Sequence, residues 1–197
     1  MQVYITFPRA FWLLSEPQGR SAKGFVQWLA PTYAPDSNPE KWNQECVELA
    51  SLSMGISQPT LLFYIYGDQS THLTSKVAEL SSKEKKDAFL YAFFKPYYSR
   101  LPGYEETNPD CQPAACVWTD WLRDDLAGNG SYANFQVGLE EGDKDIEIMR
   151  EGLPDRGFWL AGEHTAPFIA LGTATGAYWS GESVGHRIAE AYGRKKA

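Results

Sequence analysis

Residues 157–191 read GFWLAGEHTAPFIALGTATGAYWSGESVGHRIAEA, and this run constrains the fold more than any other part of the chain. It opens on an apolar segment, Phe158-Trp159-Leu160-Ala161, that stops at Gly162-Glu163. A loop follows, and from Gly172 to Ala177 a long segment begins that is built largely of Ala, Gly, Ser and Thr. The pattern predicts a strand, a turn and a helix with a small-residue N-terminus. Small side chains let a ligand approach the backbone there, and the unpaired N–H groups of a helix start favour a negative or electron-rich group. Such a device suits a large anionic cofactor.

Composition narrows the class. A chain of 197 residues, 43% hydrophobic and 22% charged, can bury one core or two small lobes and belongs with folded globular proteins. The net charge of −7 argues against nucleic acid as a partner and mildly favours cationic ligands. Cys46, Cys111 and Cys116 form neither a CxxC pair nor a metal-ligand spacing. The sequence shows no apolar run near membrane-spanning length and no signal peptide, so no membrane partner is expected. Location stays open, with the odd cysteine count leaning toward the cytoplasm. Asn129-Gly130-Ser131 has the form of a glycosylation acceptor, which coincidence in a Gly-rich loop explains better. The C-terminal Arg194-Lys195-Lys196-Ala197 matches no retention or peroxisomal ending.

Taken in order, Val3 to Phe7, Gly24 to Ala30, Leu61 to Gly67 and Ala115 to Trp121 read as strands, rich in β-branched and aromatic residues. With long connections between them, they suggest one mixed sheet. Pro39 to Leu52 reads as a short helix capped by Asn38. A clear helix runs from about Lys83 to Ser99, with Ser81 and Glu84 as a capping box and with Pro96 expected to end or kink it. A further short helix is expected around Asp143 to Arg150.

The opening stretch resembles the C-terminal flavin-binding signature of the flavin-containing amine oxidases, the group of monoamine oxidases, polyamine oxidases and lysine-specific histone demethylases. Ala161-Gly162-Glu163-His164-Thr165, Thr173-Ala174-Thr175-Gly176-Ala177 and Ser180-Gly181 carry the match in order and spacing. A second, looser match lies in Thr119-Asp120-Trp121, Asp124 and the turn Gly130-Ser131-Tyr132. A third is the segment ending in Phe11-Trp12, ahead of which most members carry a lysine close to the reactive flavin nitrogen. A gapless match places Gln2 there, and an alternative match leaves the position deleted. Neither supplies the lysine, so no catalytic residue is assigned.

The resemblance implies FAD as cofactor, a small-molecule amine as substrate and O2 as the oxidant that regenerates the flavin. Polyamine oxidases are the nearest type, and the products are an aldehyde, a smaller amine and hydrogen peroxide. It implies cofactor contacts from Gly162, Glu163, Thr173, Ala174, Gly176, Ala177 and Trp121. In that scheme Glu163 bonds the ribityl and pyrophosphate part, the Ala174 amide faces a flavin carbonyl, and Trp121 packs beside the ring. Phe168, Leu171 and Thr173 are the implied substrate-facing residues. No Tyr occurs in that loop, which argues against a two-ring aromatic cage. Each residue also has a plainer role: Gly and Ala pack helices, Trp121 fills a core, Glu163 caps a turn. His72, His164 and His186 have no partners at ligand spacing, and no metal site is expected.

The expected fold is α+β (α/β). Residues 1–135 would form a partial, mixed-sheet substrate lobe. Residues 136–197 would form the C-terminal strand and helix of an FAD-binding Rossmann-like domain whose N-terminal part is absent. The family grips adenosine with a Gly-x-Gly-x-x-Gly turn between strand and helix, and these 197 residues contain none. The chain therefore reads as a C-terminal portion that binds FAD weakly when alone. The alternatives are an inactive truncated paralogue, an interaction module, or half of a split flavoenzyme completed by a separate chain.

Overall fold

The computed structural model describes residues 1–13, 21–128, 130–135 and 137–193. Asn129 of the formal glycosylation acceptor, Gln136 and the C-terminal 194–197 lie outside the described residues. The chain divides into two compact units, Met1–Asp124 and Asp125–Ala197.

The first unit is a five-stranded sheet with one face covered by helices. Its strands are β1 (Gln2–Thr6), β2 (Phe25–Trp28), β3 (Gln44–Glu48), β4 (Thr60–Tyr64) and β5 (Ala115–Trp118), in the order β2-β3-β4-β1-β5. Every neighbouring pair is antiparallel, so the mixed sheet expected from the long connections is corrected to an antiparallel one. Long connections do not require parallel pairing when helices and loops can return the chain alongside its neighbour. The register sets Val3 opposite Phe63 and Trp118, and Ile5 opposite Leu61 and Cys116. Alternation then sends Val3, Ile5, Cys46, Leu61 and Phe63 to one buried face, while Phe25 and Val117 stay exposed.

Two helices meet that face. α1 (Gly67–Glu79) contributes Leu73 and Val77 to the core, and α2 (Lys83–Tyr98) contributes Leu90, Phe93, Phe94, Tyr97 and Tyr98. The Phe94 ring stacks on Phe63 with centroids 4.3 Å apart. The cap of α2 is Ser82, not Ser81: its hydroxyl accepts from the Lys85 amide at 3.3 Å. Nor does Pro96 end the helix, which runs on to Tyr98, because a proline in the last turn removes only one helical N–H.

The largest departure is at Pro39 to Leu52, where the expected helix is a loop followed by β3. Asn38 does not cap a helix there. Its Oδ1 accepts from the Trp42 amide at 2.9 Å, and its Nδ2 donates to the Trp42 carbonyl at 2.8 Å and to the Tyr97 hydroxyl at 2.9 Å. The inward positions of β3 are Gln44, Cys46 and Glu48, all buried. The side-chain oxygens of both polar ones accept hydrogen bonds, while Gln44 Nε2 has no partner among the described residues. Gln44 Oε1 accepts from Gln69 at 2.8 Å. Glu48, 1% exposed, accepts from Trp12 Nε1 at 3.1 Å and from the amides of Gly24, Ala50 and Ser51 at 3.1, 3.0 and 3.1 Å. The Ser51 hydroxyl adds a fifth donor. Burial alone pushes the Glu48 carboxyl up; the donors from Ser51, Gly24 and Trp12 outweigh it and hold the group below its ordinary value.

The second unit is built on α3 (Gly142–Glu151) and α4 (Ala174–Ala191), with 3-10 turns at Pro154–Arg156, Glu163–Thr165 and Phe168–Ala170. The strand expected at Phe158 to Ala161 is reduced to one antiparallel bridge between Phe158 and Leu153. No strand of this unit's described residues lies alongside to extend it into a ladder. Arg187 of α4 caps the end of α3, donating to the Arg150 carbonyl and, at 2.6 Å, to the Glu151 carbonyl. Its guanidinium also lies 5.1 Å from the ring centre of Trp159. No helix among the described residues is long and apolar enough to cross a membrane.

Candidate functional site

The start of α4 is where the small-residue segment acquires geometry. Thr173 is the N-cap, in extended backbone at φ −118°. Its Oγ1 accepts from the Gly176 amide at 2.9 Å and donates to the Ala170 carbonyl at 2.7 Å, while its own carbonyl accepts from the Ala177 amide at 3.0 Å. Two amides of the first turn, those of Ala174 and Thr175, have no acceptor among the described residues, and both residues are exposed. The first turn therefore offers two free N–H donors at the positive end of an 18-residue helix.

Gly176 is buried, and its lack of a side chain has a packing cause. A Cβ there would overlap the Ala170 carbonyl and come within 2.9 Å of the Ala166 Cβ. The 3-10 turn Phe168–Ala170 thus rests directly on the helix start. Ala177, half-buried, follows it on the same turn of helix.

Ahead of the helix, Gly162 has φ 147° and ψ 171°, a conformation open to glycine. Its amide donates to Ser180 Oγ at 3.1 Å, and its carbonyl accepts from Thr165 Oγ1 at 3.0 Å. The two hydroxyls lie 2.6 Å apart. Because the Thr165 proton is directed at the Gly162 carbonyl, Ser180 is the donor of that third bond. A closed ring of hydrogen bonds results, running from the Gly162 amide through Ser180 and Thr165 back to the Gly162 carbonyl. Arg150 steadies the turn from α3, donating to the carbonyls of Thr165 at 2.8 Å and Ala166 at 3.0 Å.

Glu163 faces its own chain. One carboxylate oxygen accepts from the Ala133 amide at 2.7 Å and the other from the Gly172 amide at 2.8 Å. The turn around Tyr132 is thereby tied to the loop that leads into α4. Two ring contacts run the same way. Gly172, at φ +72°, lies against the Tyr132 ring, and Phe135 stacks on Phe168 at 5.7 Å with planes 16° apart. Phe168 remains 67% exposed, and Leu171 is half-buried.

The second unit therefore gathers Gly162, Glu163, Phe168, Leu171, Thr173, Ala174, Gly176 and Ala177. Trp121 belongs to the first unit, in the 3-10 turn Trp121–Arg123. There its indole N–H points to Gln2 Oε1 at 3.5 Å, and the Gln2 amide donates to Thr119 Oγ1 at 2.9 Å. The start of β1 and the residues after β5 thus bring together Gln2, Thr119 and Trp121. Sequence reasoning missed Ala133 and Phe135 as parts of the α4 approach, and the anchoring roles of Arg150 and Ser180. Only the Gly130-Ser131-Tyr132 turn signalled that region.

The family model for flavin containing amine oxidoreductase matches residues 1–189. The chain belongs to that family. A search of curated proteins returns no match. Membership points to a flavin as the cofactor class and to a small molecule as the substrate class.

The residues present fit a flavin in part. The free Ala174 and Thr175 amides suit an electron-rich carbonyl or an anion. Glu163 and the Thr173 hydroxyl are already committed to backbone partners, and Gly176 is small because Ala170 lies over it. In this chain these three shape the α4 start instead of presenting free groups.

Proposed function

We propose that this chain serves FAD-dependent oxidation of an amine, of the polyamine-oxidase type, with O2 as final acceptor and hydrogen peroxide as product. The observation that carries the reading is the pair of free amides at Ala174 and Thr175, exposed at the positive end of α4 in a member of this family. When bound, the flavin supplies the two-electron acceptor for hydride from the carbon beside the amine nitrogen. The part of this chain is to hold and orient. The Ala174 and Thr175 amides donate to the ring's electron-rich edge, and the α4 dipole favours negative charge there. Phe168 and Leu171 line the approach of an aliphatic amine, beside the Thr173 cap. The grip on the adenosine half is assigned to polypeptide other than these residues.

A second reading is a flavin-binding relative with little or no turnover, active only when completed by a separate chain. It is favoured by the absence of the family's usual lysine: a gapless match puts Gln2, which accepts from the Trp121 indole, in its place, and the alternative match deletes the position.

Ala174→Pro tests the first reading. Proline is favoured at the first helical position, and the extended backbone of Thr173 accommodates a following proline. The substitution deletes one free N–H and leaves the fold intact. Flavin affinity should fall about tenfold with the melting temperature unchanged. Unchanged affinity would remove Ala174 from the site. Peroxide release with spermine separates the two readings, since the second predicts none from this chain alone.

A further inference from the structure

We infer that Glu163 is a positioning residue that locks the turn at Tyr132–Phe135 to the loop entering α4, and acts on whatever binds there only through those loops. Its two oxygens accept from amides 30 residues before it and 9 residues after it in sequence, at 2.7 and 2.8 Å. A carboxylate bridging two backbone N–H groups makes two charge-assisted bonds, each stronger than a neutral one. Both donors are backbone amides, so the bridge rests on the carboxylate at position 163.

The tie has a consequence for specificity. The turn carries Phe135, whose ring stacks on Phe168, and Phe135 in turn leaves no room for a side chain at Gly142. Between the Glu163 bridge at one end and Gly142 at the other, Phe135 is held and with it the exposed face of Phe168. Glu163 thereby sets the orientation of an aromatic surface that it does not touch.

Amide hydrogen exchange on the flavin-free full chain tests this, and the outcome does not depend on the flavin assignment. Glu163→Ala should accelerate exchange at Ala133 and Gly172 at least tenfold and leave the amides in the middle of α4 unchanged. Glu163→Gln is nearly isosteric but keeps only one acceptor oxygen. It should speed one of the two amides and largely protect the other. Phe135→Leu should leave both amides protected while altering the selectivity between bulky and slender amines as ligands, read as the ratio of their dissociation constants. If Glu163→Gln leaves both amides as protected as before, the carboxylate does not hold the two loops and the inference is overturned. Global loss of protection in both Glu163 variants would also overturn it, since the effect would not be confined to the two loops.

Discussion

Ser180 and Thr165 face each other across 2.6 Å in the interior of the second unit, and together they close a hydrogen-bond ring through both backbone ends of Gly162. Each hydroxyl is at once donor and acceptor: an apolar isostere of Ser180 leaves the Gly162 amide unpaired, and one of Thr165 leaves the Ser180 hydroxyl without its acceptor, while the Gly162 carbonyl keeps its bond from the Thr165 amide at 3.1 Å. Buried networks of this kind are held by mutual polarisation and fail as a unit.

Ser180→Ala and Thr165→Val should each destabilise the chain by about 1–3 kcal/mol, the cost of an unsatisfied buried polar group. The double variant should cost less than the sum of the two, because the ring is already open after the first substitution. Chemical denaturation of the four proteins measures both quantities. Additive losses would mean that the hydroxyls act separately.

Two glycines of α4 should respond in opposite directions. Gly176→Ala forces a methyl into the Ala170 carbonyl and should cost about 1–3 kcal/mol through overpacking. Gly181 has open space around it within the same helix, so Gly181→Ala should stabilise by about 0.5–1 kcal/mol. Thermal melts of the two variants give the comparison.

How much of this was legible in the sequence depends on which atoms carry each feature. The start of α4 near Thr173 could be read from the small residues that open a long helical segment there, whereas the capping role of Thr173 is a finding of the structure. The core strands β1 and β4 could be read because Val3, Ile5, Leu61 and Phe63 are apolar and alternate toward the core. By contrast β3 was hidden because two of its inward residues are the polar Gln44 and Glu48. α1 was hidden for the same reason, burying Gln69, Ser70 and Thr74 beside only two large apolar residues. A turn-capping role for Glu163 could be read, but not which two loops it joins. Its partners are backbone amides, and any residue type at position 133 except proline would offer the same donor.

Glu48 predicts an acid-sensitive first unit. Its folded carboxyl lies below the ordinary value of 4.5, so the stability it contributes is fully present above 4.5. That contribution is lost as pH falls through the lowered folded value, when protonation removes an acceptor from donors that remain buried. Urea midpoints should therefore drop on acidification below 4.5. Glu48→Gln should cost about 2 kcal/mol or more at neutral pH and flatten that acid limb. An acid limb equally steep in the variant would place the effect elsewhere.

On the proposed function, these residues meet the ring end of the flavin and not its adenosine half. Parallel titration of the purified chain with riboflavin and with FAD, followed by flavin fluorescence, tests it most directly. Both should bind, with dissociation constants within about threefold of each other, because only the shared ring is contacted. A preference for FAD of about a hundredfold or more, or no binding of either flavin by the folded chain, would contradict it.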